Sequence, residues 1–228
     1  MGRWEPNARG RLAQAALTLY AEQGFEETTA AEIARSAGLT ERTFFRHFAD
    51  KREVLFYGSD SVLDLLVRAV ADAPPAAGPI DAVSAALQAV GAMIRETPEP
   101  ARLRYAVVSA NQELRERELA KLAEFAAAMA GALRDRGVPE LAASLAAETG
   151  TAVYRVTFAR WIEGQAQPDL ADPTDLADPT DLADLADLAD PADPADRPEP
   201  PDLPQLLRES MAELGDVFTH RLLSSPAS

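Results

Sequence analysis

The residues best suited to chemistry are concentrated in one stretch, residues 38–48, which reads GLTERTFFRHF. Arg42, Thr43, Arg46 and His47 place guanidinium, hydroxyl and imidazole groups close together in the chain. Such groups donate hydrogen bonds to the phosphates of a DNA duplex and to base edges in its major groove. The stretch therefore predicts a contact with nucleic acid.

Other chemistries have little support in the sequence. There is no cysteine, His47 and His220 are the two histidines, and no glycine-rich phosphate loop occurs. An enzyme would need a nucleophile beside a base, or a cluster of metal ligands, and neither pattern is found. We predict that the protein is not an enzyme and that it has no catalytic residue, no metal site and no cofactor.

Three short helices must position the polar side chains of residues 38–48. The spacing of apolar residues predicts a first helix over residues 7–23. Thr29 and Glu32 form a capping box, which predicts that a second helix starts there. Gly38 supplies a tight turn and Thr40 caps a third helix. Two helices joined by such a turn form a helix-turn-helix.

The third helix is predicted to have an apolar face and a polar face. Phe44 and Phe48 are four residues apart, so they share the face that enters the core. Phe45 lies between the two faces, and the guanidinium, hydroxyl and imidazole groups occupy the rest of the circumference. A helix this short is not stable alone, so the aromatic side chains anchor it while the polar ones remain free for DNA.

The total charge does not exclude DNA binding. The formal net charge is -15, but an aspartate falls at every third position over residues 169–196, and these ten aspartates make up two thirds of it. Residues 1–57 hold eight basic and eight acidic side chains. Prolines interrupt the aspartate repeat, which predicts a disordered insertion over residues 166–201. Deleting residues 169–196 should strengthen non-specific DNA binding at low salt if the insertion repels phosphates.

The rest of the chain is also predicted to be helical, which makes the fold class all-α. Asp50 and Glu53 repeat the capping pattern, so a fourth helix is expected to start there. Glycine and proline divide the following chain into predicted helices over residues 60–73, 80–97, 101–110, 112–136 and 139–164. Asp202 caps a last helix with an apolar stripe of Leu203, Leu206, Leu207, Met211, Leu214, Phe218 and Leu222.

Residues 8–56 resemble the DNA-binding domain of the TetR family of bacterial transcriptional regulators. The matching positions run in register without a gap: Thr28, Thr29, Ile33, Ala34, Ala37, Gly38, Leu39, Thr40, Thr43, Phe44, Phe45, His47, Phe48, Lys51 and Leu55. The resemblance implies DNA contacts from Thr29, Thr40, Thr43, Phe45, His47 and Lys51.

Two departures from the family pattern bear on the DNA contacts. Arg42 replaces the usual glycine and is a candidate for bidentate guanine recognition, and Phe45 replaces a tyrosine and so lacks one phosphate hydrogen bond. With Arg46, Arg42 joins the predicted DNA-binding residues. We expect Arg42→Ala to relax base preference and Lys51→Ala to weaken binding to all sequences alike.

The resemblance also implies the overall organisation and function. Residues 1–57 would form a three-helix DNA-binding domain, and residues 58–228 a larger helical domain that binds a small effector and forms a homodimer. The implied function is a ligand-responsive transcriptional regulator, a repressor in the family pattern, that binds a palindromic double-stranded operator. No apolar run suits a membrane span or a leader, so a cytoplasmic protein without membrane contact is expected.

Candidate residues for the effector pocket are the aromatic, methionine and arginine side chains of the larger domain. They are Met93, Arg104, Tyr105, Phe125, Met129, Tyr154, Phe158 and Trp161, with Asn111, Gln112 and Arg155 as further polar contacts. Arginine beside aromatic rings suits an anionic, largely apolar ligand such as an acylated or aromatic acid, and the effector is expected to be apolar or an apolar anion. The small residues Ala143, Ala147 and Gly150, together with the stripe of the last helix, are the predicted dimer interface, with burial inside one chain as the alternative.

A second function class is a helical interaction protein that does not bind DNA. It would use the acidic tract to bind a basic partner. A mobility-shift assay with the DNA upstream of its own gene separates the two functions.

Overall fold

The chain folds into helices in this computed structural model, which describes residues 7–166 and 202–223, with side chains described for 7–164 and 202–215. The helices are α1 Ala8–Gln23, α2 Ala30–Ser36, α3 Glu41–His47, a 3₁₀ helix Glu53–Phe56, α4 Ser59–Ala71, α5 Pro79–Arg95, α6 Pro98–Ala110, α7 Gln112–Asp135, α8 Glu140–Ala166 and α9 Leu203–Leu223. Those ranges contain no strand. The all-α prediction is confirmed.

The predicted fourth helix does not start at Asp50. Its carboxylate does accept hydrogen bonds from the backbone N–H of Arg52 (2.8 Å) and of Glu53 (3.1 Å). The turn that follows is the 3₁₀ helix, in which three consecutive side chains, residues 54–56, are buried. Gly58 then has φ 92°, a left-handed conformation that a right-handed helix cannot include. The next α-helix therefore starts only at Ser59.

Helix α6 begins three residues earlier than predicted. The Pro98–Pro100 segment was expected to separate two helices, but it forms the first turn of α6. The first turn of an α-helix has no intrahelical partner for its N–H groups, so prolines cost little there.

One core holds the N-terminal helices together. Phe44 is fully buried and Phe48 nearly so, as predicted, among apolar side chains of α1, α2 and the 3₁₀ helix. Val107 and Val108 of α6 and Leu114 of α7 belong to the same core. The N-terminal helices therefore share one core with α6 and α7, and α1 is the helix that packs on α6.

A second core joins α4, α5, α7, α8 and α9. At Gly150 of α8, an added Cβ would lie 2.2 Å from Val83 Cγ1 of α5. Glycine is therefore required where these two helices cross.

The predicted dimer interface is wrong for its small residues. Ala143 and Ala147 are fully buried in the second core, and Gly150 faces α5 of the same chain. The described part of the α9 stripe is also internal, with Leu203 and Leu207 in that core and Met211 buried as well. Small residues indicate a close helix crossing but not which helix is crossed. The side chains of Phe218 and Leu222 lie outside the described residues.

Arg136, the residue that follows α7, binds the C-terminal end of α4. The Arg136 guanidinium donates to the carbonyl oxygens of Val70 and Ala71 (both 3.1 Å), Ala73 and Pro74 (2.9 Å). The last carbonyls of a helix lack intrahelical partners and carry partial negative charge, so the cation stabilises them.

The predicted disordered insertion lies outside the described residues, apart from Ala166 at the end of α8. Within 7–166 and 202–223, none of the helices combines the length and the apolar character needed to cross a bilayer.

Candidate functional site

The turn between α2 and α3 is built from local hydrogen bonds. Gly38 has φ 67°, a left-handed conformation that favours glycine. Its N–H donates to Arg35 O (2.9 Å) and the N–H of Leu39 donates to Ala34 O (2.8 Å), which is the Schellman pattern of helix ends. Thr40 Oγ1 then accepts from Thr43 N (3.2 Å). The angle at which α3 leaves the turn is thus set by residues next to it in sequence.

Helix α3 presents its basic side chains to solvent. Arg42 and Arg46 are exposed, and neither has a hydrogen-bond or ion-pair partner within the described ranges. Phe45 is 53% exposed beside the buried Phe44, with their rings edge to face at 5.3 Å. An exposed phenylalanine between two free guanidinium groups gives a surface that can offer both hydrogen-bond donors and an apolar contact to the major groove.

The threonine hydroxyls of this surface already serve as helix caps. Thr29 Oγ1 donates to Glu32 Oε2 (2.8 Å) and accepts from the Glu32 N–H (3.2 Å). These bonds to Thr29 hold the pKa of Glu32 below its usual range. Thr40 Oγ1 and Thr43 Oγ1 lie 2.9 Å apart. Thr29 and Thr40 are the N-caps predicted from sequence, and Thr43 lies in the first turn of α3. Contact of their hydroxyls with DNA stays a prediction.

His47 is less accessible than the arginines of α3. It is half-buried, and its Nε2 is a buried atom without a hydrogen-bond partner. It lies in the last turn of α3 with Arg46, where a positive charge is favoured by the helix dipole.

Lys51 has a structural role that the sequence did not indicate. Its ammonium group donates to the carbonyl oxygens of Phe25 (2.8 Å), Glu26 (2.9 Å) and Thr28 (3.1 Å) and lies 4.4 Å from the centre of the Phe25 ring. An ammonium group has three donors, and all three are used. This arrangement argues against the predicted phosphate contact, because a phosphate would have to replace bonds that hold the α1–α2 loop.

A cavity of about 260 Å³ lies between α4, α5, α6, α7 and α8. We call it the effector cavity. Of the eight predicted pocket residues, five line it: Met93, Arg104, Phe125, Tyr154 and Phe158. Its inner wall meets a second space of about 20 Å³, which is lined by Met129 together with Leu66, Leu87 and Thr151. The volume of the effector cavity, about 260 Å³, is slightly below the range common for small-molecule sites.

The remaining predicted pocket residues pack behind the lining. Tyr105 contacts Phe158 edge to face at 5.8 Å, and Trp161 contacts the same ring at 5.9 Å. Trp161 is buried in the second core. Neither residue lines the effector cavity, and Asn111, Gln112 and Arg155 do not line it either. Periodicity places a side chain inside a helical domain without distinguishing a cavity wall from the packing behind it.

Arg104 joins the effector cavity to the N-terminal core. Its Nε donates to the carbonyl oxygen of Leu55 in the 3₁₀ helix (2.7 Å), its two terminal nitrogens pair with Glu118 of α7, and its guanidinium lies 5.2 Å from the Phe56 ring centre. A groove of about 370 Å³ between α1, α5 and α6 shares Arg104 and Met93 with the cavity. One wall residue of the cavity is thus bonded to the segment that follows α3.

Two further ion pairs across the same boundary were not found from sequence. Arg52 bridges Asp50 (2.8 Å) and Glu113 of α7. Arg117 of α7 pairs with Glu53 of the 3₁₀ helix. These partners are about sixty residues apart in the chain, and no local pattern connects them.

Tyr154 supplies a neutral polar group on the wall of the effector cavity. Burial raises the pKa of its phenol, an effect that the charge of Arg104 opposes and that of Glu118 adds to. The hydroxyl is therefore protonated at neutral pH and can donate a hydrogen bond.

Comparison with known proteins finds similarity that is concentrated in the N-terminal helices. Residues 12–57 match the family described as "Bacterial regulatory proteins, tetR family". The HTH-type transcriptional regulator TcmR of Streptomyces glaucescens is 36% identical over 88 residues, which are 39% of this chain and 39% of TcmR. HbdR of Aromatoleum sp. (strain CIB) is 38% identical over 56 residues, 25% of this chain and 24% of HbdR. The matched segments thus span well under half of either relative.

Solved structures resemble the chain over most of its length. The fatty acid degradation regulator FadR from Bacillus halodurans superposes with a TM-score of 0.55 at 15% identity, covering 93% of this chain and 96% of that one. FadR of Thermus thermophilus, described as a TetR-family repressor in complex with lauroyl-CoA, gives 0.51 at 20% identity, covering 96% of this chain and all of that one. At these identities the similarity shows the fold alone.

Proposed function

We propose that the chain is a TetR-family transcriptional repressor released from DNA by a small effector, a proposal supported by the match of residues 12–57 to that family. In this proposal residues 1–57 bind DNA and residues 58–228 bind the effector and form the homodimer. The observation that carries the DNA-binding part is the outer face of α3, where Arg42 and Arg46 are exposed and unpaired while Phe44 anchors the helix in the core.

We propose Arg42, Thr43, Phe45 and Arg46 as the residues that enter the major groove. Thr29 and Thr40 stand at the N-termini of α2 and α3, where backbone N–H groups suit phosphate contacts. His47 stays a candidate. Lys51 is proposed instead to hold the α1–α2 loop, which supports Thr29 indirectly.

A homodimer is proposed through the outer face of α8. Leu141, Leu145 and Val156 are 72%, 58% and 56% exposed, and their spacing places them on one side of the helix together with the exposed Ala152. An exposed apolar stripe of this kind marks an interaction surface. Two recognition helices related by a twofold axis would then read half-sites about 34–36 Å apart on a palindromic operator.

A mobility-shift titration on the DNA upstream of the protein's own gene tests the proposal. The protein should shift this fragment at a lower concentration than a scrambled duplex. Absence of a shift at low salt would favour an interaction protein that does not bind DNA.

The same titration tests Arg42. Arg42→Ala should lower the preference for operator over scrambled DNA by about 1–3 kcal/mol, because a bidentate guanine contact contributes about that much discrimination. Arg208→Ala, which removes an exposed arginine from α9, should leave the preference unchanged. An equal loss of affinity for both duplexes in Arg42→Ala would instead indicate a phosphate contact.

A further inference from the structure

We propose that the effector cavity selects uncharged ligands and that Glu118 is the residue that excludes anions. This inference rests on the proposed function, since it concerns the ligand of the same cavity. It departs from the sequence-based argument that arginine beside aromatic rings suits an apolar anion, and keeps the uncharged apolar ligand that was also expected.

The charged side chains that line the effector cavity are Arg104, Glu118 and Lys121. Arg104 and Glu118 form a two-pronged pair, with Nη1 of the arginine 3.3 Å from Oε1 of the glutamate and Nη2 bonded to Oε2. Lys121 Nζ donates to Glu124 Oε2 at 2.9 Å. Each cation on the wall therefore already has a carboxylate partner.

Three of the five N–H groups of the Arg104 guanidinium already have protein partners. Two of its nitrogens face Glu118 and its Nε donates to Leu55 O. The side chains of Arg104 and Glu118 are each 27% exposed, so water screens the glutamate only partly. An anion that approached Arg104 would lose its hydration and meet the carboxylate of Glu118 at the same contact, a cost that no unpaired cation of the lining offsets.

A neutral ligand avoids this cost. Val62, Val90, Leu122 and Phe125 give the cavity and the smaller space beside it a shared apolar wall, and Tyr154 also lines both spaces. Its protonated hydroxyl can bond a ligand carbonyl or hydroxyl. The ligand class that fits is an uncharged, mostly apolar molecule with one polar group at the Arg104 end.

Displacement of a neutral fluorescent probe tests the inference on the unmodified full-length protein. N-phenyl-1-naphthylamine fluoresces in apolar surroundings and carries no charge. Separate titrations with 1-decanol and with decanoate would displace the probe. The two ligands have alkyl chains of the same length and differ in the charge of the end group. We expect decanol to displace the probe at a concentration at least about tenfold lower, the ratio that a difference of about 1.4 kcal/mol gives.

The variant Glu118→Gln assigns the selectivity to one residue. It keeps the shape of the side chain but leaves Arg104 without its counter-ion, so decanoate affinity should rise and the decanol preference should fall by about tenfold. Glu116→Gln removes a charge from the exposed side of the same helix and should keep the wild-type ratio. Near-ultraviolet circular dichroism checks that each variant is folded before displacement is measured.

The possible outcomes distinguish a failure of this inference from a failure of the proposed function. If decanoate displaces the probe as well as decanol in the wild-type protein, the cavity does not exclude anions and the inference is overturned. If the preference exists but survives Glu118→Gln, Glu118 is not its cause. If the probe does not bind the wild-type protein at all, the proposed effector cavity itself fails.

Discussion

At the scale of single residues, Lys51 shows how a side chain with a predicted role in DNA binding can be committed to the fold. Its three ammonium donors meet three carbonyl oxygens of the α1–α2 loop. Arg42 and Arg46 of α3, by contrast, have no such partners in the described part of the chain. Positive charge alone does not distinguish these cases, whereas hydrogen-bond partners do.

Replacing Lys51 should therefore affect stability more than DNA affinity. Lys51→Ala leaves three carbonyl groups without their charged donor, and we expect the free energy of unfolding to fall by about 2–3 kcal/mol, as measured in urea. Arg46→Ala should change it by less than about 0.5 kcal/mol, because that side chain is exposed and unpaired. Unchanged stability in Lys51→Ala, with uniformly weaker DNA binding, would restore the phosphate contact.

At the scale of elements, the crossing of α5 and α8 depends on the absence of a side chain at Gly150. Gly150→Ala would place a methyl group 2.2 Å from Val83 Cγ1, so we expect a loss of about 1–3 kcal/mol of unfolding free energy from overpacking. Val83→Ala removes the opposing methyl groups, and the double variant should lose less than the sum of the two single losses in a double-mutant cycle.

Gly131 of α7 is the matched control for that crossing. An added Cβ there would be 3.7 Å from the nearest atom, a terminal nitrogen of Arg134. Gly131→Ala should then stabilise the protein by up to about 1 kcal/mol, because alanine favours helix over glycine. Similar behaviour of the two glycine variants would contradict the tight crossing.

Local chemistry explains why most elements could be predicted and some could not. The capping box of Thr29 and the turn at Gly38 involve residues within a few positions, and both were found from the sequence. The 3₁₀ helix after Asp50 depends on burying three consecutive side chains in a core shared with α6 and α7, which no local pattern contains. The sequence predicts that Gly150 allows another helix to approach closely. That helix is α5 of the same chain and not a helix of a second copy.

The candidate sites likewise contain residues that local sequence predicts and residues that it does not. The outward residues of α3 follow from helical periodicity, so Arg42 and Phe45 could be placed in advance. The roles of Lys51, Arg104 and Glu118 depend on partners between fourteen and forty-nine residues away, and a single sequence does not show which of many charges will meet.

At the scale of the whole molecule, the proposed homodimer depends on the exposed stripe of α8. Leu145→Glu places a charge in that stripe and should convert the dimer to a monomer, as measured by light scattering, because an unpaired charge at the centre of an apolar interface is costly. Leu119→Glu changes a similarly exposed leucine on α7 and should leave the mass unchanged. A monomeric wild-type protein would remove the interface altogether.

Asp50, which lies beside arginines at the boundary between the N-terminal helices and α7, should make the free energy of unfolding depend on pH. Burial alone would raise the pKa of Asp50, but its hydrogen bonds to Arg52 and the charges of Arg52 and Arg117 hold it below the ordinary value of 3.8. A carboxylate with a depressed folded pKa stabilises the protein above its unfolded pKa, and this contribution is lost as the pH falls through the folded pKa.

Urea unfolding of wild type and Asp50→Asn between about pH 6 and pH 3 checks this sign. The wild-type protein should be the more stable at pH 6, and the difference should shrink on acidification below about pH 4 as Asp50 is protonated. Asp64→Asn alters an exposed aspartate of α4 without a hydrogen-bond or ion-pair partner in the described ranges and should track the wild type. A difference that stays constant with pH would mean that Asp50 acts by shape rather than by charge.

The two ends of α4 are attached very differently. Arg136, just after α7, donates two hydrogen bonds to the last carbonyls of α4 and two to the turn that follows, whereas the other end of α4 follows Gly58 in a left-handed conformation, φ 92°. The effector cavity touches α4 at the second of these ends, through Gly58, Ser59, Ser61 and Val62. In the proposed function, an occupied cavity would therefore act on the segment that leads back to α3 and leave the Arg136 end in place.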